Sequence, residues 1–224
     1  MHVIEELLNA EELTWVRALV KRSRFIEGTA TAGGAAREVK RNQQLEYGQA
    51  DAQQLARLVF GALKRSVKLQ RCALPLEISQ PTINRYGPDM TYGPHYDSTF
   101  MPALDGQRIR GDLSITIFIS EPDSYDGGEL RFAKAGGERV IKLKAGEGFV
   151  YPASTLHWVT PVTRGERVGI VFWMQSMVRD TEKRAMITEL DAVIARLGEK
   201  MPGSDEVRDL AGLESNLLRM WSEL

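Results

Sequence analysis

A histidine and an aspartate stand two residues apart, His95 and Asp97, in a stretch rich in strand formers. On an extended strand, side chains i and i+2 leave the same face, so this imidazole and carboxylate can converge on one cation. A second imidazole would complete the 2-His-1-carboxylate set that holds non-haem Fe(II) with coordination positions left open. The chain has 3 histidines. His2 lies at the start, where a mobile end is expected, which leaves His157, in a second apolar stretch, as the partner. H-x-D by itself is a short pattern that arises by chance, and a His hydrogen-bonded to a nearby Asp at a strand end is the blander account of it. A structural zinc site would close its shell with four ligands and usually uses Cys. The chain's 1 cysteine, Cys72, lies outside the β-rich region and reads as a small buried hydrophobe.

The elements that must position these residues follow from periodicity. Asn9 and Glu12 have capping-box spacing, and Leu13, Val16, Leu19 and Val20 then form a helical stripe, predicting a helix over 10–22. Residues 28–36 are small and Gly-rich and read as a flexible loop, followed by a polar stretch to Leu45. Leu55, Leu58, Val59, Ala62 and Leu63 predict a helix over 51–66. From Leu76 the texture changes to about eight short strands: 77–86, 91–97, 112–119, 129–132, 140–143, 149–151, 156–162 and 167–173. No helical pattern interleaves them, which excludes a parallel α/β sheet and implies an antiparallel sandwich or barrel. Helical periodicity returns after Arg179, with one stripe from Met186 to Leu197 ended by Gly198 and Pro202, and a last helix capped by Ser204. The expected fold class is α+β: a double-stranded β-helix (jelly-roll) core over 77–178, an N-terminal helical support region over 1–76 and a C-terminal helical extension over 179–224. Such a core can bring His95 and Asp97, near its start, beside His157, near its end.

Composition narrows the function classes. At 224 residues, 43% hydrophobic and 26% charged, the chain reads as an ordinary globular protein. Its net charge of −1 gives no global field for nucleic acid or an anionic membrane. A single cysteine rules out an intrachain disulfide, and the first residues lack the basic and apolar regions of a signal peptide, so a cytoplasmic location is expected. No stretch approaches the roughly 20 apolar residues of a membrane span.

Arg167 stands ten residues after His157 at the head of the last strand. A lone Arg there is more often a surface residue. An anionic ligand with a distal carboxylate, however, would need a fixed bidentate donor, which Arg supplies better than Lys. With residues 86–97 (YGPDMTYGPHYD), 125–132 (YDGGELRF), 146–162 (GEGFVYPASTLHWVTPV) and 165–167 (GER), the pattern resembles the Fe(II)- and 2-oxoglutarate-dependent dioxygenases. The prolyl 4-hydroxylase-like branch, and within it the bacterial PKHD-type hydroxylases, is the nearest likeness. The resemblance implies that His95, Asp97 and His157 ligate Fe(2+) and that Arg167 pairs with the distal carboxylate of 2-oxoglutarate. It implies hydroxylation of a substrate carbon with O2, giving succinate and CO2, and L-ascorbate as the reductant. Because Asp97 is intact, hydroxylation is favoured over the halogenation of relatives that lack the carboxylate.

Tyr86 and Tyr92 read either as hydrogen-bond donors lining a 2-oxoglutarate pocket or as ordinary sheet aromatics. Trp158 and Trp173 read as core, and Gly127 and Gly128 as a turn and bulge. Lys40 to Gln43 could cover the barrel mouth, though a solvated loop is the simpler reading. The alternative function is a non-catalytic iron- and 2-oxoglutarate-binding sensor module; a sensor of iron alone is disfavoured, because it has no need of a carboxylate clamp such as Arg167, and a cupin-like isomerase or a dioxygenase needing no cosubstrate would call for other ligand spacing. The substrate is left between a prolyl residue and a small molecule, with iron uptake as a link suggested by the family, and apolar C-terminal stripes allow a homodimer.

Overall fold

Strand Leu113–Phe118 is buried at every position, a pattern that requires cover on both faces. The computed structural model, which describes residues 1–31, 34–46, 48–103 and 106–223, supplies both covers. On one side Ile115 and Ile117 pack with Val16, Leu19, Leu55, Val59 and Leu69 of the N-terminal helices. On the other, Ser114 and Phe118 meet the second sheet and its approaches.

Among the described residues the larger sheet has eight strands, every pair antiparallel. Their order is His2–Ile4, Gly148–Pro152, Leu113–Phe118, Arg167–Ser176, Thr82–Tyr86, Gln43–Leu45 and Phe25–Glu27, with Pro75–Ile78 also paired to Arg167–Ser176. The smaller sheet runs Gly137–Ile141, Leu130–Lys134, His157–Val159, Thr91–His95 and Lys40–Arg41. Between them lies an aromatic core of Tyr86, Phe118, Phe132, Phe149 and Tyr151. This is the expected double-stranded β-helix with helices at both ends of the chain.

Local chemistry sets the helix limits. Asn9 Oδ1 accepts from the Glu12 amide at 2.9 Å and Glu12 Oε2 accepts from the Asn9 amide at 3.0 Å, closing the capping box of helix Ala10–Arg22; such a cap contributes about 1 kcal/mol. The second helix is Gln49–Arg65, and Ser66, expected as its end, also starts Val67–Ala73 by accepting from the Leu69 amide. Helix Thr181–Lys200 runs through Gly198 and ends at Met201, ahead of Pro202. It and Asp205–Trp221 join the body through Leu74, Val178 and Ile187, with Leu218 and Trp221 against them.

Several expectations need correction. His2 is not mobile: it pairs with Val150 at the sheet edge. The Gly-rich segment contains a 3₁₀ turn, Gly28–Thr31, and a short helix, Gly34–Glu38, while residues 32 and 33 lie outside the described residues. The polar stretch after it is not a solvated loop. It forms strands Lys40–Arg41 and Gln43–Leu45, so the N-terminal region adds strands to both sheets as well as helices. The strand expected over 77–86 divides into Pro75–Ile78 and Thr82–Tyr86, because Pro81 has no N–H to carry a ladder through. A hairpin of Phe100–Pro102 and Arg108–Arg110 was not expected at all; its connecting residues 104 and 105 lie outside the described residues. No helix among the described residues is long and apolar enough to cross a membrane.

Candidate active site

Register brings the histidines together. His157 stands directly opposite His95 across the smaller sheet, with ring centroids 4.3 Å apart. Strand Thr91–His95 ends at His95, and Asp97 lies two residues beyond, its amide donating to the Ala153 carbonyl at 3.3 Å. Asp97 Oδ1 is 4.0 Å from His95 Nε2 and Asp97 Oδ2 is 3.7 Å from His157 Nε2. One ligand atom from each residue lies within 4.8 Å of the others, so the three could hold one metal ion.

The protonation of both imidazoles suits that task. His95 Nδ1 lies 2.8 Å from the Gly93 carbonyl and His157 Nδ1 lies 2.9 Å from the Thr155 carbonyl. A carbonyl only accepts, so each Nδ1 carries the proton and each Nε2 lone pair faces the other ligands. Burial, and next the proximity of His157, pushes the His95 imidazolium down to about 4, so His95 is neutral near pH 7 and ready to coordinate. Tyr92 stacks on His95 at 3.6 Å and 14°. Tyr151 Oη approaches His157 Nε2 at 3.3 Å, and Ser114 Oγ donates to Asp97 Oδ2 at 2.5 Å. These neighbours fix ring planes and carboxylate orientation.

The triad opens into a cavity of about 340 Å³ between the sheets. Arg167, at the head of strand Arg167–Ser176 and opposite Tyr86, lines it and is 2% exposed. Its guanidinium lies over the rings of Tyr86 (5.2 Å) and Phe118 (5.4 Å), and its Nε has no protein partner. No carboxylate among the described residues pairs with it within 4.0 Å. Gly128 makes room for its stem: with φ +63°, a Cβ there would stand 3.1 Å from Arg167 Cδ and 3.1 Å from Tyr125 Cε2. Gly127, at φ +70°, sits at the register shift opposite Val162, the expected bulge.

Tyr86 and Tyr92 both line the cavity and also pack in the aromatic core. Burial raises the phenol pKa of each, so both keep a hydroxyl proton to donate. Trp173 is a correction: it is half-buried on the cavity wall, not core, and Trp158 is also half-buried. Lys40, expected in a solvated loop, is buried on the cavity wall. Burial lowers its ammonium to about 8, against the opposing pull of the Asp97 carboxylate. Sequence reasoning also missed Ser114, Tyr151, Gln44 and Asn84. For Ser114 a signal existed: a small hydroxyl, shared with Thr116 two residues on, inside a strand whose other residues are Leu, Ile and Phe.

Comparison with known proteins agrees with this geometry. Residues 81–175 match the 2OG-Fe(II) oxygenase superfamily, and residues 181–223 match the PKHD-type hydroxylase C-terminal domain. A PKHD-type hydroxylase of Burkholderia ambifaria is 42% identical over 222 residues, covering 98% of each chain. One from Nitrobacter winogradskyi is 43% identical over 224 residues, covering 100% of this chain and 99% of its own. Among solved structures, a Pseudomonas putida prolyl-4-hydroxylase superposes with TM-score 0.51 at 22% identity, over 78% of this chain and 91% of that one. The non-heme α-ketoglutarate-dependent epimerase SnoN from nogalamycin biosynthesis gives TM-score 0.56 at 14% identity, over 79% and 77%. The structural likenesses show the shared fold, while full-length identity above 40% decides the family: the chain belongs to the PKHD-type hydroxylases, enzymes of the 2OG-Fe(II) oxygenase superfamily.

Proposed function

We propose that His95, Asp97 and His157 hold Fe(II) and that Arg167 receives the distal carboxylate of 2-oxoglutarate, in an enzyme that hydroxylates an unactivated carbon of an organic substrate. The observation that carries this reading is the presence, in one cavity, of a three-ligand set with its Nε2 atoms turned inward and a buried guanidinium that no carboxylate among the described residues meets. When bound, Fe(II) and 2-oxoglutarate supply the oxidation of the C–H bond by O2, with succinate and CO2 as coproducts. The residues supply position and exclusion. The two backbone carbonyls hold the imidazole tautomers, and Ser114 holds the carboxylate arm. Arg167 offers a fixed fork at the inner end, and Tyr86 and Tyr92 wall the cosubstrate space with phenols that remain protonated. Ascorbate fits as the agent that returns oxidised iron to the ferrous state.

The direct test is anaerobic loading with Fe(II) and 2-oxoglutarate, followed by oxygen. Succinate should form only with both present, and crystals soaked anaerobically should place the metal between His95, Asp97 and His157. Iron bound elsewhere, or 2-oxoglutarate bound without contact to Arg167, would falsify the assignment.

Ser114→Ala gives a finer check. The change removes one hydroxyl and little volume, so the fold should persist. The carboxylate of Asp97 loses the partner that orients it, and loss of such outer partners typically weakens metal binding about 10- to 100-fold. A Mn(II) or Fe(II) titration of the variant should show a drop in that range; unchanged affinity would mean that Ser114 does not orient the ligand.

A further inference from the structure

One hydroxyl in the cavity competes with a metal for the same lone pair. Tyr151 Oη lies 3.3 Å from His157 Nε2. His157 Nδ1 carries the ring proton, because it faces the Thr155 carbonyl, so Nε2 accepts and the phenol donates. The lone pair that would ligate a metal is therefore the one that takes the Tyr151 hydrogen bond. A metal–imidazole bond is about 2.0–2.1 Å long for zinc, and it cannot share one lone pair with that hydrogen. Tyr92 meets the other triad imidazole differently, stacked on the His95 ring at 3.6 Å.

Packing holds the phenol where it is. Its ring meets Phe132 edge-on at 4.7 Å, lies 5.9 Å from Phe149 and stands edge-on to His157 at 5.0 Å. Tyr151 is buried, and its strand is in register with Ser114 on the neighbouring one. Oη therefore stays beside the triad, and what can change is the direction of the O–H bond about Cζ–Oη. A buried hydroxyl left without an acceptor is destabilising, so the hydrogen must find another. The polar side chains that act on the phenol besides His157 are Asp97, Thr116, Arg167 and Tyr86. Arg167 can only donate, and Asp97 Oδ2 already accepts from Ser114 at 2.5 Å. Burial, and next the Asp97 carboxylate, pushes the phenol pKa up, so the hydroxyl keeps its proton. Tyr151 lines the same cavity as the triad and Arg167, which is the space the cosubstrate would fill.

From this competition we infer that Tyr151 is a cosubstrate-binding residue: metal binding releases its O–H from His157 Nε2, and the hydroxyl then donates to an oxygen at the metal-facing end of 2-oxoglutarate. This rests on the proposed Fe(II)/2-oxoglutarate reading and adds a residue to it. Arg167 holds the distal carboxylate, and Tyr151 meets the end that carries the keto oxygen and the other carboxylate, so the anion is oriented from both ends. The exchange also sets an order. Until a metal takes the His157 lone pair, the hydroxyl is engaged by the imidazole and is not offered to the cosubstrate.

The test compares the full wild-type chain with Tyr151→Phe, which keeps the ring and its packing and removes the hydroxyl. Zn(II)-loaded wild type is titrated first with 2-oxoglutarate. Failure to bind there would sink the Fe(II)/2-oxoglutarate reading itself, and this inference with it. With wild-type binding in hand, the Zn(II)-loaded variant should bind 2-oxoglutarate about tenfold to a hundredfold more weakly, as for a lost hydrogen bond to a charged acceptor. Its affinity for Zn(II) alone should be unchanged or higher, because a competitor for the His157 lone pair is gone. The visible absorption band of the anaerobic Fe(II)–2-oxoglutarate complex should move to shorter wavelength in the variant, a signature that a purely structural tyrosine would not give. Unchanged 2-oxoglutarate affinity overturns the inference. So does a loss of Zn(II) affinity as large as the loss for 2-oxoglutarate, which would assign Tyr151 to holding His157 in place. If Tyr151→Phe does not fold, the wild-type crystal structure with Zn(II) and 2-oxoglutarate decides. Tyr151 Oη must lie within about 3.0 Å of a 2-oxoglutarate oxygen; a hydroxyl turned to Asp97 instead overturns the inference.

Discussion

Asp97→Ala is expected to abolish tight iron binding and with it all 2-oxoglutarate turnover. The substitution removes the carboxylate member of the triad, leaving two imidazoles whose Nε2 atoms still face inward. Those rings do not depend on Asp97 for their position: His95 is held by Tyr92 and the Gly93 carbonyl, His157 by the Thr155 carbonyl and its strand. The variant therefore isolates the carboxylate's contribution. Outer partners of a metal ligand alone are worth about 10- to 100-fold in affinity, so losing a charged ligand itself should cost at least about 100-fold. Anaerobic Fe(II) titration measures the first effect and succinate release the second. Asp97→Glu separates charge from reach: it restores the anion on a longer arm that Ser114, 2.5 Å from Asp97 Oδ2 in the parent, no longer orients. It should recover more iron than activity. If Asp97→Ala retains tight stoichiometric iron and turns over 2-oxoglutarate, the three-residue assignment is wrong.

The parts of this site that could be read from sequence share one property: their signal is local. His95 and Asp97 announce themselves by spacing, His157 by elimination among three histidines, and Arg167 by its place at the head of a strongly β-branched strand. The core strands were legible for the same reason, since Leu113–Phe118 and Arg167–Ser176 carry their own β propensity. Lys40–Arg41 and Gln43–Leu45 carry none. Their extended form is imposed by pairing with Thr91–His95 and Thr82–Tyr86, a tertiary effect that a polar run cannot display. Burial of Lys40 follows from that pairing, so it was invisible too. Trp173 was misread for a related reason. An aromatic residue on a central strand predicts burial, but periodicity cannot tell a packed face from a cavity wall. Ser114 shows the limit from another side: its hydroxyl matters only because Asp97, seventeen residues earlier, folds back onto it.

Arg167→Met should stabilise the ligand-free protein and at the same time remove its affinity for 2-oxoglutarate. In the free protein Arg167 is 2% exposed, its Nε has no hydrogen-bond partner, and its guanidinium lies over the rings of Tyr86 and Phe118 with the Tyr125 hydroxyl as a neutral neighbour. Taking a charge out of water costs several kcal/mol, and ring faces return about 1–2 kcal/mol of that. A flexible apolar chain of similar length fills the same space without the penalty. Melting of the metal-free variant should therefore occur at or above the wild-type temperature. Binding should move the opposite way, because a buried bidentate carboxylate pair lost from one side typically costs about 2–5 kcal/mol, or roughly 30-fold to several thousand-fold in Kd. Added 2-oxoglutarate should raise the melting temperature of the metal-loaded wild type in proportion to the logarithm of its concentration and leave the variant nearly unmoved. Arg167→Lys retains charge but not the fork, and should fall between them. The two signs together are what identify a cosubstrate clamp. A structural arginine would lose stability on substitution, and a bystander would change neither quantity. Arg167→Met that melts lower than wild type while binding 2-oxoglutarate normally would show that the guanidinium is held by the fold for the fold's own sake.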